Sequence, residues 1–222
     1  MTKRPTDAIL VDLQQFKDLD DALQRIALDK PFDDLAHEIL KTFLGRGGEW
    51  NHSLVFFGSA VSRARALREG IVREIAAANP HATMTLLRQF AETVAMAFYV
   101  ADHPKYVEVL MTRPSETKKG APNRKSVQAL VSYMDANHTD QFAVVYSELC
   151  EMAHFGTIAL WSSHQTRDNE DGTIGWSWSS VPAWKTESEA LVCCAQLLEL
   201  SDGMNSALIA LGKSLVGTAE QS

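Results

Sequence analysis

A chain of 222 residues that is 45% hydrophobic and 22% charged can bury an apolar core without disulfide staples. Its net charge of −7 argues against a surface that binds nucleic acid by general phosphate neutralisation, because that affinity comes from Lys and Arg. Three cysteines, two of them adjacent (Cys193 and Cys194), make no disulfide framework and point to a reducing compartment.

The opening MTKRPTDAILVDLQQFKDLDD carries basic residues but no apolar run of signal-peptide length. Helical periodicity predicts a first helix over about 7–28. In DKPFDDLAHEILKTFLG, Pro31 suits a first helical position. Asp33 and Asp34 suit the positive end of the dipole, and Gly45 suits the stop. RGGEWN is a break, and a long helix then runs to about Ala78. Its mixed charges, Arg63, Arg65, Arg68, Glu69, Arg73 and Glu74, mark a solvated outer face.

Asn79-Pro80 reads as a cap followed by a first-turn proline. The helix after it, to about Ala101, is apolar over a wide arc through Leu87, Phe90, Val94, Ala97 and Phe98. Such a helix is expected at the centre of a fold. Its stretch FAETVAMAFYVA (90–101) is too short to span a bilayer, so a cytoplasmic protein with no membrane segment is predicted.

Pro104 precedes a short helix. The basic loop TRPSETKKGAPNRKS (112–126) follows, then a helix at about 123–136. Thr139 is the expected cap of the helix carrying YSELCEMAHFG (146–156), and Gly156 its stop. The period then changes to two. TIALWSS and GTIGWSWSSV read as two strands joined by RDNEDG, a β-hairpin packed on the helices. Thr186 with Glu189 offers a capping box for a long C-terminal helix, with Gly203 as a candidate break.

Two helices carry a polar stripe. Arg88 and Glu92 are four apart. On the later helix Ser147, Glu151 and His154 share a stripe, opposite Phe142, Tyr146, Leu149 and Ala153. If the stripes face each other, Arg88, Glu92, Glu151 and His154 form one cluster, and its buried charges must be paired. His154 in the last helical turn also suits a structural role at the negative end of the dipole.

Other chemistry is open to the same residues. Glu151-x-x-His154 has the spacing of a di-iron or di-manganese carboxylate bundle. Only Asp34-x-x-His37 and Asp135-x-x-His138 offer anything comparable elsewhere. Cys150 has His154 one turn away, although a small buried apolar side chain is the expected role of that cysteine. Lys118, Lys119, Arg124 and Lys125 belong to a solvated loop or to an anion or RNA contact. Trp176 and Trp178 are expected to pack on the helices, with a ligand-stacking platform as the alternative.

The helical build resembles the nucleotide-binding fold shared by higher eukaryotes and prokaryotes, found in many toxin and phage-defence nucleases. The motif of that family is an Arg, four to six residues, then a His. RGGEWNH, Arg46 to His52, is similar to it but has Gly47 where the family places a polar residue. The resemblance implies a metal-independent ribonuclease in which His52 moves a proton and Arg46 holds phosphate. LLRQFAETVAMAFYVADHP with YSELCEMAHFG also resembles a group of uncharacterised, all-helical bacterial proteins. These carry R-x-x-x-E near a D-x-P, then Y-x-x-L-x-x-x-x-H on a later helix. The matching residues are Arg88, Glu92, Tyr99, Pro104, Tyr146, Leu149 and His154. That resemblance implies a linked Arg, Glu, Tyr and His, and no established reaction.

Together these readings predict a mostly α bundle of six to eight helices with one β-hairpin insertion near 157–181, in a single domain over 1–222. The expected function is contact with a protein or ligand around a structural polar seam, through a protein partner or a homodimer. A ribonuclease-like defence or toxin protein is the alternative, and a two-metal carboxylate bundle a second. No cofactor is expected.

Overall fold

A computed structural model describes residues 12–29, 31–112, 123–154, 163–178 and 183–219. They form eight α-helices and one two-stranded antiparallel hairpin: α1 Leu19–Leu28, α2 Asp33–Gly45, α3 His52–Ala76, α4 Pro80–Asp102, α5 Tyr106–Met111, α6 Val127–Asn137, α7 Phe142–Ala153, β1 His164–Asp168, β2 Ile174–Trp178 and α8 Glu187–Ala219. The mostly helical bundle with a hairpin is therefore the observed fold.

α4 and α8 are the central pair. α3 packs on both, α6 and α7 pack on α4, and α1 and α2 lie on α8. The all-round apolar character of α4 explains its place: Leu87, Phe90, Ala91, Val94, Ala97 and Val100 are all buried. On α8, Cys193, Leu197, Met204 and Leu208 are fully buried. Cys193 and Cys194 are free thiols in this core, and burial pushes the Cys194 thiol up to about 12. Among the described residues, no helix is long and apolar enough to cross a membrane.

The expected stops and starts mostly hold, with local corrections. Asn79 accepts from the Ala82 N–H and Pro80 opens α4, as the sequence predicts. α2 ends through a left-handed Gly47 (φ 78°), whose N–H reaches the Leu44 carbonyl while Gly48 N–H reaches Phe43. Gly45 is thus the last helical residue and Gly47 the conformational stop. A Cβ on Gly48 would lie 2.4 Å from the Phe43 ring, so the second glycine answers to close approach. The first helix is not continuous over its described part. A short 3-10 turn, Leu13–Gln15, is followed by extended Phe16, and Asp18 caps α1 by accepting from Asp21 N–H. The Asp18 carboxylate competes with helical continuation, which periodicity alone does not register.

α7 begins later than Thr139. Its N-cap is Gln141 without a side-chain bond, and Asp135 of α6 accepts from the Ala143 N–H in place of a local cap. α8 runs unbroken through Gly203. Glu189 reaches back to the N–H of Lys185, one residue earlier than a Thr186 capping box requires. The expected stop at Gly156 lies outside the described residues.

β1 pairs with β2 in the register His164–Trp178, Thr166–Trp176, Asp168–Ile174. β1 is therefore HQTRD, which includes two residues expected in the loop. Most of TIALWSS lies outside the described residues. The turn fixes this register. Gly172 takes φ 80°, Asn169 and Thr173 close the loop, and Asp171 accepts from the N–H and hydroxyl of Thr173. β1 shows no apolar alternation because no buried face demands one.

Candidate functional site

The polar stripe of α4 meets the end of α7. Arg88 Nε donates to Glu92 Oε1 at 2.9 Å, and the Tyr146 hydroxyl donates to the same oxygen at 2.8 Å. The guanidinium also contacts His154 Nε2. A guanidinium can only donate, so His154 accepts through Nε2 and carries its ring proton on Nδ1. The four side chains form one chain of bonds, Tyr146 to Glu92, Arg88 to Glu92, and Arg88 to His154.

The helical-wheel cluster is present with one member exchanged, Tyr146 for Glu151, which leaves the Arg, Glu, Tyr and His named together by their motif spacing. Glu151 is exposed and outside the chain of bonds, and Ser147 is exposed beside it. α7 presents Phe142, Tyr146 and Leu149 to α4, so the hydroxyl at the edge of the apolar face is the group that reaches Glu92. His154 joins because it has left the helix. It is the C-cap, with extended backbone (φ −93°, ψ 172°), so helical spacing no longer governs where its ring lies.

The seam is half-open. Arg88 and Glu92 are each about a quarter exposed, and His154 is exposed. The Arg88 pKa is raised, chiefly by its bond to Glu92. Burial, then the bonds to Glu92 and Cys150, raise the Tyr146 pKa well above the usual phenol range. The hydroxyl therefore stays a donor at neutral pH. Among the described residues no three His, Cys, Asp or Glu side chains converge as a metal site.

The other expected sites are dispersed. Arg46 is the C-cap of α2, and His52 opens α3 after the Asn51 cap. The imidazole of His52 is held by Glu108 of α5, with Nδ1 at 2.9 Å from both carboxylate oxygens. Lys118 and Lys119 lie outside the described residues. Arg124 donates to the carbonyls of Leu110 and Thr112, which ties down the loop's end. Lys125 donates its backbone N–H to the Tyr106 hydroxyl, and its ammonium lies 5.7 Å from the Tyr99 ring centre. Asp34 and His37 are exposed on α2.

A second polar cluster closes the far end of α4. Asp102 Oδ2 accepts from the Tyr133 hydroxyl at 2.8 Å and lies 2.7 Å from His138 Nε2. Tyr99 stacks on His103 at 4.4 Å and meets Tyr106 and Tyr133 edge-on at 4.9 Å. His103, His138 and His154 are the C-caps of α4, α6 and α7, where an imidazole meets the negative helix end. Sequence reasoning missed Asp102 and Tyr133. His138 was visible only as the partner of Asp135, which instead bonds α7. The one available signal was repeated His at helix ends.

The hairpin departs most from expectation. Trp176 and Trp178 are 62% and 71% exposed, and Ile174 on the same face is 67% exposed. They do not pack on the helices as expected. His164 stacks on Trp176 at 4.9 Å, a cross-strand contact within the hairpin. The strict period of two in β2 encodes an apolar face, and among the described residues that face is exposed.

No family model, curated protein or solved structure matches this chain.

Proposed function

We propose that this chain acts through contact with a protein partner, and that the Arg88–Glu92–Tyr146–His154 seam serves the fold by fixing α7 on α4. The observation that carries the reading is the uncovered Ile174–Trp176–Trp178 face. A two-stranded hairpin is marginal in water by itself, so an apolar face on it gains most from being covered. Contiguous exposed apolar surface marks interaction sites, and Trp is enriched among residues that dominate binding. The seam supports an architectural role, because each of its four groups is already engaged within the chain. A ribonuclease-like activity has less support: His52 is taken up by Glu108, and Arg46 ends a helix.

Stoichiometric association tests the reading. Immobilised wild type, Tyr146→Phe and Trp176→Ser/Trp178→Ser are offered cell extract and, separately, the purified chain. The expected result is a polypeptide retained by the first two and lost from the third. Equal retention by wild type and the tryptophan double variant overturns the reading, as does RNA cleavage by the purified chain that His52→Ala abolishes.

A further inference from the structure

Resting on that reading, we infer that the partner is a second copy of this chain, with the hairpin of each protomer seated in a groove between α2 and α3 of the other. The groove has a volume of about 810 Å³ and is open to solvent. Leu40, Trp50 and Leu54 wall it, and Gly58, Ser62 and Ala66 form its floor. These three small residues recur every fourth position on α3, so the floor is flat where larger side chains would fill it. A Cβ on Gly58 would meet nothing within 4 Å, and Trp50 beside it is 81% exposed. A second recess of about 540 Å³ shares Leu40, Gly58, Ser62 and Ala66 and extends the same trough.

The described residues thus include an exposed apolar projection and an open apolar trough. Their charges are complementary. The hairpin holds Asp168, Glu170 and Asp171 against Arg167, whereas the trough holds Arg63 and Arg65 against Glu69. The acidic turn also disfavours a phosphate-bearing ligand on the indoles. A reciprocal exchange about a two-fold axis closes, because each protomer gives a hairpin and receives one.

The area is sufficient. A buried indole covers about 150–250 Å², and about two-thirds of each hairpin indole is open. With Ile174 and the smaller trough surface, counted on both protomers, the exchange buries roughly 900–1,400 Å², at the lower end of the range for specific interfaces.

Sedimentation velocity from low to high micromolar concentration tests this, using wild type, Trp176→Ser/Trp178→Ser and the trough-filling Gly58→Phe. Wild type is expected to dimerise, and each variant to dimerise roughly 30-fold or more weakly. Mixing the two variants is the decisive measurement. The double variant keeps an open trough and Gly58→Phe keeps its hairpin, so the mixture regains one of the two contacts and forms heterodimers that neither forms alone. Thermal unfolding of each variant checks its fold, and the mixing result stands on heterodimer formation itself. A monomeric wild type at all concentrations overturns the inference, as does a dimer that Gly58→Phe leaves unchanged. A monomeric wild type that still captures a different polypeptide through Trp176 and Trp178 overturns only the second copy. Absence of both overturns the partner reading as well. Quenching of the indoles by a single-stranded RNA in place of dimerisation also overturns the inference.

Discussion

The Tyr146 hydroxyl donates to Glu92 Oε1, the same oxygen that takes Nε of Arg88, so one carboxylate oxygen joins α7 to the ion pair of α4. Tyr146 is 9% exposed, whereas His154 at the other end of the seam is exposed. Removing the hydroxyl leaves a partly buried carboxylate with one donor fewer. Tyr146→Phe is expected to cost about 1.5–3 kcal/mol, the range for a bond to a charged group. For a chain of this size that is a fall of roughly 3–12 °C in Tm. His154→Ala loses only a solvent-screened contact and is expected to cost under about 1 kcal/mol. Calorimetry on the two variants checks the order, and a larger loss for His154→Ala contradicts it.

Tyr133 predicts a specific alkaline behaviour. Burial, with the bond and charge of Asp102, pushes its phenol up to about 12. The folded value lies above the unfolded one near 10. The protonated form is therefore favoured by folding. Its stabilisation is complete below about pH 10 and is lost as pH rises through 12. Ultraviolet titration of wild type minus Tyr133→Phe isolates this group. A difference midpoint near 10 contradicts the environment described.

How much of this was legible follows from which forces act locally. The Asn79-Pro80 start, the break at 46–51 and the apolar girth of α4 are properties of adjacent residues, and the sequence carries them directly. The Arg88–Glu92 pair was legible for the same reason, since four residues is one helical turn. Of the partners that the helical wheel offered across the fold, His154 is in the seam and Glu151 is not, and Tyr146, which the wheel set on the apolar side, takes that place. A helical wheel ranks faces, but a tyrosine on the apolar face can still carry its hydroxyl to a neighbour's polar stripe. The Asp102–Tyr133–His138 cluster joins α4 to α6 across 31 and 36 residues, and no local spacing announces it. The hairpin face was read from its period, but its covering was assumed from that period. Alternation says that a face is apolar, not which molecule buries it.

Two glycines of α8 predict opposite outcomes for one substitution. A Cβ on Gly203 would meet Val94 Cγ1 at 3.4 Å, an ordinary contact. Gly203→Ala is expected to stabilise by up to about 1 kcal/mol through helix propensity. A Cβ on Gly212 would lie 2.6 to 3.0 Å from three carbons of Ile39, including both Cγ atoms. Those atoms sit close to the α2 backbone, so relief requires α2 to move. Gly212→Ala is expected to cost about 1–3 kcal/mol. Denaturant unfolding of the two variants reads both signs, and a stabilised Gly212→Ala contradicts the close approach of α2 to α8.

The end of α3 offers a stabilising change of another kind. Ala78 N–H donates to the Ile75 carbonyl and Asn79 N–H to the Glu74 carbonyl, the two bonds that cap a helix through a left-handed residue. That residue is Ala78, with φ 53°, the one non-glycine with positive φ among the described residues. A Cβ in this conformation crowds the following carbonyl and costs about 1–2 kcal/mol. Glycine removes the crowding and gives back about 0.5–1 kcal/mol in unfolded-state entropy. Ala78→Gly is therefore expected to stabilise by several tenths to about 1 kcal/mol, whereas glycine at Ala76, the last residue of α3, is expected to destabilise by up to about 1 kcal/mol. Thermal unfolding of Ala78→Gly beside Ala76→Gly separates a cap effect from a general effect of glycine, and a loss of stability in both contradicts the left-handed cap.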